Sequence, residues 1–270
     1  MQASVAESSG GVSVVLPAYN EEENVESAVV GSIAALSRIG ADFEVLIVDD
    51  GSADRTAEIA LALVEDHYPR VRLISHDVNR GYGAALRAGF EHSEQPLVFF
   101  TDADNQFDVA ELEAFLPMMR DHDMAVGYRA TRQDPFFRSV TSRTYNRIVR
   151  LLFRLHVRDV NCAFKLMRRA VVEDLPLECD TFFVSAELCA RARRGKLRVA
   201  ERQVTHYPRA AGETTVRIAD VPTTLRDIAR MWWRIDGPGA RKAGGRASRA
   251  IGLKAASEFL PAPEGEAVGT

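Results

Sequence analysis

The chain is poor in the features that would place it in several large classes. It has only three cysteines in 270 residues, Cys162, Cys179 and Cys189, an odd set with no metal-ligand spacing. That excludes a disulfide scaffold and points to a reduced, cytoplasmic compartment. Positive charge is not in excess: 34 basic against 38 acidic side chains leave a net charge of −4, which argues against a general nucleic-acid binder. No stretch approaches the roughly 18 uninterrupted apolar residues of a membrane-crossing helix. Residues 1–11 lack the basic start and apolar segment of a signal peptide. Any work at a membrane is therefore expected from its surface.

What is present is ample apolar content, 46% of residues, enough for one large domain or two small ones. Apolar runs at 12–16, 43–48, 71–75, 98–101 and 124–128 suit buried strands, and helical patterns near 21–39, 55–67, 82–92 and 108–120 lie between them. This alternation predicts an α/β fold with a mostly parallel sheet and helices on both faces. Asn20, three residues before Glu23, fits a capping box for the first helix, and Ser52 or Asp54 fits the cap of the second.

Polar residues follow the strands directly. Tyr19 stands after the first, where its ring could stack on a ligand. Asp49 and Asp50 follow the second, and Gly81 and Gly83 open the helix after the third. The fourth strand runs into V-F-F-T-D-A-D-N-Q-F at 98–107. In extended backbone Asp102 and Asp104 point to one side. Two carboxylates facing one point repel unless a cation lies there, and oxygen-only ligands favour Mg²⁺ or Mn²⁺. The same aspartates would also suit a polar turn capping the next helix. Ligands of open α/β sheets bind beyond the carboxyl ends of the strands, where strand order switches, so these residues are expected to converge on one crevice.

The second half differs. Arg143, Arg147, Arg150, Arg154 and Arg158 recur at helical spacing over 138–158, opposite Tyr145, Ile148, Val149 and Leu152. Such a stripe is either an ordinary solvated face or a surface for anionic headgroups and phosphate. Residues 159–169 read as a loop entering a strand, and Glu187 lies in a helix stopped by Gly195. A strand over 198–206 leads to His206, Arg209, Thr214 and Thr215 around Gly212, a candidate anion-binding loop. A last helix, with Pro222 in its first turn, runs to about Ile235 and carries Trp232 and Trp233 beside Arg226, Arg230 and Arg234, a composition suited to a membrane interface or to docking on its own domain.

P-A-Y-N-E at 17–21, V-D-D-G-S at 48–52, N-R-G-Y-G at 79–83 and D-A-D-N-Q at 102–106 resemble, in that order, the motifs of family 2 glycosyltransferases of GT-A fold. Within them the chain is most similar to the dolichyl-phosphate mannose synthase group, which makes polyprenyl-phosphate sugars. The resemblance spans roughly residues 12–218. It implies that Pro17, Tyr19, Glu21, Val48 and Asp50 hold the nucleoside of a GDP- or UDP-sugar. Asp102, Ala103, Asp104 and Gln106 would hold diphosphate and metal, with Asp102, Asp104 and Gln106 as the metal ligands. Arg129 and Arg209 match arginines near the phosphates. Two departures stand out: Asn105 replaces the usual glycine of D-A-D-G-Q, and Phe183 stands where a lysine often precedes the glutamate matching Glu187. Lys165, Arg129, Arg209 or the arginine stripe would then grip the acceptor phosphate.

The implied activity is a metal-dependent, inverting transfer of a hexose, mannose or glucose, to a polyprenyl phosphate. Charge building on the leaving diphosphate would be stabilised by the cation and arginines. A phosphate monoester, largely dianionic at neutral pH, needs no general base. A soluble or saccharide hydroxyl acceptor would need one, with Glu187 or Asp159 as candidates. A non-catalytic nucleotide-sugar binder is a further alternative. A phospho-receiver domain would leave Asp102 and Asp104 without a role. The expected organisation is a flexible segment at 1–11, a GT-A domain at 12–236 and a disordered tail at 237–270. The expected location is peripheral, at the inner face of the cell membrane, and the sequence carries no sign of oligomeric state.

Overall fold

Val12–Ala18 forms β1, and every one of its residues is buried. A strand buried at both parities of its side chains must be covered on both faces, which is the condition of a parallel sheet packed between layers. The computed structural model describes residues 10–129, 145–209 and 221–237. After β1 come α1 (Val25–Ile39), β2 (Phe43–Asp49), α2 (Thr56–His67), β3 (Val71–Ser75), α3 (Tyr82–Glu91) and β4 (Leu97–Thr101). Then follow β5 (Met124–Arg129), α4 (helical residues 145–152), β6 (Phe164–Arg168), α5 (Arg169–Asp174), α6 (Val184–Arg194), β7 (Val199–Val204) and α7 (Val221–Ile235).

The seven strands lie in the order β3-β2-β1-β4-β6-β5-β7. All are parallel except β6, which runs antiparallel to both β4 and β5. The expected α/β class is therefore observed, with a reversed strand that the sequence pattern did not foretell. The chain builds outward from β1 to β3 and then returns to place β4 on the other side of β1. That reversal is the topological switch point, and it lies between the ends of β1 and β4. Thr101 pairs with Phe164, so the segment entering β6 reaches the same edge of the sheet. Below it, Phe164 packs edge-on against Phe99 with ring centroids 4.6 Å apart and touches Phe115 at 4.8 Å.

Three local expectations need correction. The first helix starts at Val25, not near 21: Asn20 takes a left-handed φ of 55°, and its side chain accepts the Ala53 N–H at 2.8 Å instead of capping a helix. Asn tolerates that conformation better than most residues. The helix expected at 108–120 is two 3₁₀ segments, Val109–Ala114 and Leu116–Arg120, because Pro117 lacks the N–H that an α-helix would use there. The arginine stripe also breaks up. The helix ends at 152, Arg154 turns left-handed at φ 50°, and Arg158 lies over the Tyr128 ring at 4.5 Å. Arg143, Gly212, Thr214, Thr215 and most of the expected tail lie outside the described residues.

Candidate functional site

At the switch point the D-A-D-N-Q turn leaves β4 and brings together a half-buried carboxylate, Asp102, and a buried one, Asp104. Asp102 accepts the Tyr82 hydroxyl at 2.7 Å. Burial pushes its carboxyl above the usual range, opposed by that hydrogen bond and by the charges of Arg129 and Lys165, while Glu21 adds to the rise. Asp104 is pushed up to about 7, first by burial and next by the charge of Asp102; the Gln106 N–H and Arg209 act in the opposite sense. Ala103 between them is buried. Asn105 sits at φ 58°, the conformation that makes glycine usual here, and its amide is fixed by donating to Ser27 Oγ at 2.7 Å and the Asn24 carbonyl at 3.1 Å. The replacement thus keeps the turn.

Glu21, from the β1–α1 loop, lies in the same cluster. Arg209 Nη2 donates to both of its oxygens, at 2.6 and 2.7 Å, and Arg209 Nη1 stands 3.7 Å from Asp104 Oδ2. Glu21 also accepts the Asn24 amide at 2.8 Å. Gln106 donates its side-chain N–H to the Tyr207 carbonyl at 3.0 Å, and its own carbonyl accepts the Tyr207 N–H at 2.9 Å. This pins the 206–209 segment to the acidic turn. His206 beside it is buried against the Phe107 ring at 5.2 Å.

The second acidic motif is arranged differently. Asp50 accepts the N–H groups of Arg80 and Gly81 at 2.9 and 2.8 Å and lies 2.7 Å from His76 Nδ1. It clamps the glycine turn that starts α3, the turn from which Tyr82 reaches Asp102. Asp49 accepts the Ser52 N–H at 3.2 Å. Pro17 pairs in register with Val48, both are buried, and Tyr19 stands half-buried just beyond β1. Gly83 meets a neighbour directly: a Cβ there would lie 2.0 Å from the Cys179 carbonyl oxygen, which explains the second glycine by close approach.

Other expected residues are held by partners of their own. Lys165 is fully buried; its ammonium donates to the carbonyls of Val160 and Cys162 and lies 3.5 Å from Ser185 Oγ. Its expected grip on an acceptor phosphate is replaced by a role in pinning the 160–162 loop. Arg129 holds Asp159 through Nε at 2.7 Å and Nη2 at 3.2 Å. Glu187 is buried and accepts N–H groups from Glu178 and Cys179 and the Arg191 Nε at 2.6 Å. Both candidate general bases are therefore bound to cationic partners. Tyr82 and His76 were missed by sequence reasoning, although Tyr82 lies inside a motif that it singled out.

The residues present fit a hard divalent cation. Asp104 is buried and Asp102 half-buried, their carboxylates repel, and Gln106 offers an amide oxygen; oxygen-only donors of this kind bind Mg²⁺ through one or two carboxylates together with substrate phosphates. Among the described residues no group of three or more His, Cys, Asp or Glu is gathered as a metal cage, so phosphate oxygens would complete the shell.

The model of the glycosyl transferase family 2 domain matches residues 13–176. Glycosyltransferase AglD of Haloferax volcanii is 37% identical over 237 residues, covering 83% of this chain and 37% of that protein. An undecaprenyl-phosphate 4-deoxy-4-formamido-L-arabinose transferase of Pectobacterium carotovorum is 35% identical over 171 residues, 62% of this chain and 51% of its own length. The chain thus spans about half or less of these two curated relatives. Among solved structures, glucosyl-3-phosphoglycerate synthase from Mycobacterium tuberculosis, in complex with Mn²⁺, UDP and glucosyl-3-phosphoglycerate, superposes with a TM-score of 0.66 at 19% identity, over 87% of this chain and 82% of that one. That likeness shows the GT-A fold.

Proposed function

This chain belongs to glycosyltransferase family 2, and we propose that it transfers a hexose, mannose or glucose, from a GDP- or UDP-sugar to the phosphate of a polyprenyl lipid. The observation that carries the acceptor class is the state of its carboxylates. Asp159 lies against Arg129, and Glu187 against Arg191 and two backbone N–H groups. Neither is poised to take a proton from a hydroxyl, whereas a phosphate monoester arrives ionised. A relative named for transfer to undecaprenyl phosphate supports the same class.

In this reading a divalent cation, Mg²⁺ or Mn²⁺, supplies Lewis-acid stabilisation of the leaving diphosphate. Asp102 and Asp104 would hold it, and the Gln106 amide oxygen is a further candidate ligand. Tyr82 orients Asp102 by its hydrogen bond. Arg209 exchanges its contact with Glu21 for the donor phosphates, and Arg129 presents positive charge toward the acceptor phosphate. Tyr19 stacks on the base, while Pro17, Val48 and the Asp50-clamped turn shape the nucleoside pocket. In-line attack by the acceptor oxygen breaks the anomeric C–O bond and inverts that centre.

The test incubates the protein with Mn²⁺, polyprenyl phosphate and a panel of labelled GDP- and UDP-sugars. Label passing into the organic phase, and lost in Asp104→Ala, is the expected result. Transfer to soluble saccharides only, or full activity in Asp104→Ala, would sink the proposal.

A further inference from the structure

The described surface carries two helix faces that combine exposed apolar side chains with arginine alone. On α7, Ile228, Met231 and Ile235 turn inward, while Leu225 and Trp233 remain 56% and 54% exposed, with Ala229 also exposed between them. Positions 225, 229 and 233 form one row at helical spacing, and exposed Arg226, Arg230 and Arg234 form the row beside it. On and just after α4, Ile148 and Leu151 are 48% and 71% exposed, flanked by exposed Arg147 and Arg154. The exposed side chains of both faces include no acid, in a chain whose net charge is −4. Asp227 of α7 and Asp236 just after it are turned to Thr181 and Arg193.

Both helices brace one segment. The Tyr145 ring of α4 packs on Phe182 at 6.1 Å, and Asp227 of α7 accepts the Thr181 hydroxyl at 2.9 Å. The exposed acids of that segment are paired, Asp180 with Arg87 and Glu178 with Arg191 and Arg234. On its other side the Asp180 carbonyl accepts the Gly83 N–H at 2.8 Å, one residue from the Tyr82 that holds Asp102. The faces therefore flank the cluster's own support.

We infer that the exposed faces of α4 and α7 together form a docking surface for an anionic lipid bilayer, with Trp233, Leu225, Ile148 and Leu151 entering the headgroup region and Arg147, Arg154, Arg226 and Arg230 meeting lipid phosphates. Apolar rows with tryptophan suit the boundary between headgroups and chains, and arginine-only flanks complement negative lipids. This deepens the lipid-phosphate reading and rests on it for the choice of a bilayer over a soluble acidic partner. It sets the side from which a membrane-held acceptor approaches.

Flotation of the whole chain with phosphatidylcholine vesicles, and with vesicles also containing phosphatidylglycerol, tests the surface without acceptor or donor. Binding should require phosphatidylglycerol and weaken with salt. Tryptophan emission should be quenched by lipids brominated on their acyl chains, and Trp233→Phe should lose most of that quenching. Arg226→Gln with Arg230→Gln should partition about 30-fold more weakly, the loss expected for two arginines at such a surface. That variant should keep turnover on a short, water-soluble prenyl phosphate, which also shows that it folds. A wild-type chain that stays unbound, or is not quenched, overturns the surface whatever the variants do. Failure of wild type to glycosylate the soluble prenyl phosphate overturns the acceptor reading instead, and vesicle binding still decides the surface.

Discussion

Arg209→Gln removes the guanidinium that lies across the carboxylate cluster, and its effect on a divalent cation can be worked from the geometry. Nη2 is 2.6 and 2.7 Å from the two Glu21 oxygens, and Nη1 is 3.7 Å from Asp104 Oδ2. Unit charges about 4 Å apart attract by about 4 kcal/mol at an effective dielectric constant near 20. Arg209 is partly exposed, so water takes much of this. If a third survives, about 1.4 kcal/mol, the cation alone should bind about tenfold more tightly once its internal competitor is gone. The assay is the free Mn²⁺ signal in electron paramagnetic resonance, titrated without nucleotide. It should be run well above pH 7, because Asp104 sits at about 7 in the wild type and loses the lowering effect of Arg209 in the variant. Adding UDP or GDP should reverse the order, since the arginine then acts on phosphate. Equal or weaker Mn²⁺ binding by Arg209→Gln, without nucleotide and above pH 7, would mean that Arg209 does not compete with the cation for these carboxylates.

Asp104→Asn tests the same cluster through stability. The folded carboxyl lies at about 7, well above its usual value near 4 when unfolded. Its favourable contribution is therefore present below about pH 4 and lost as pH rises through 7. In chelator, the wild type should lose stability over that window, and the variant should be more stable at pH 8 by about 1–4 kcal/mol; urea midpoints at pH 5 and 8 check this. Tyr82→Phe removes the 2.7 Å hydrogen bond to Asp102. It should weaken Mn²⁺ binding about 10–100-fold, measured as for Arg209, with little change in folding. Glu187→Gln should lower stability through lost pairing with Arg191 while leaving kcat of the folded enzyme within about threefold; a loss of about a thousandfold would restore a general base. Gly83→Ala should destabilise by about 1–3 kcal/mol in chemical denaturation, because the new methyl meets the Cys179 carbonyl at 2.0 Å.

Much of this arrangement was legible because apolar runs ending in short polar motifs are local signals. β1, β2 and β4 are fully buried strands, and Tyr19, Asp49, Asp50, Asp102 and Asp104 stand at their ends as the pattern predicted, while Glu21 came only from the family resemblance. What escaped was decided by partners distant in sequence. Asn20 looked like a cap but is drawn to Ala53, 33 residues away. Asp50 looked like a ligand carboxylate left over from capping, yet three groups from 26 to 31 residues on hold it. Lys165 looked available to a phosphate because no spacing shows that β6 reverses and carries it into the core between β4 and β5. Tyr82 was overlooked for a similar reason: only the strand order brings the start of α3 beside the end of β4.

The acidic groups around the cleft differ in how they are neutralised, and that difference bears on the chemistry. Asp50 meets two N–H groups and an imidazole, Asp159 meets Arg129 twice, and Glu187 meets two N–H groups and Arg191. Each is fixed by donors from its own surroundings, so its charge serves the fold. Asp104 receives the Gln106 N–H at 3.1 Å and an arginine at 3.7 Å, but burial first, and then the Asp102 carboxyl and the nearby Glu21, push it up to about 7. Burying carboxylates together with incomplete neutralisation costs stability unless a ligand supplies the missing charge. A bound divalent cation would supply it, and Arg209, held on Glu21 at 2.6 and 2.7 Å, would then be available to a diphosphate. On the proposed function, that unbalanced negative charge is what would hold the cation and leaving group. With Asp159 and Glu187 already paired, the same proposal calls for an acceptor that brings its own ionised oxygen.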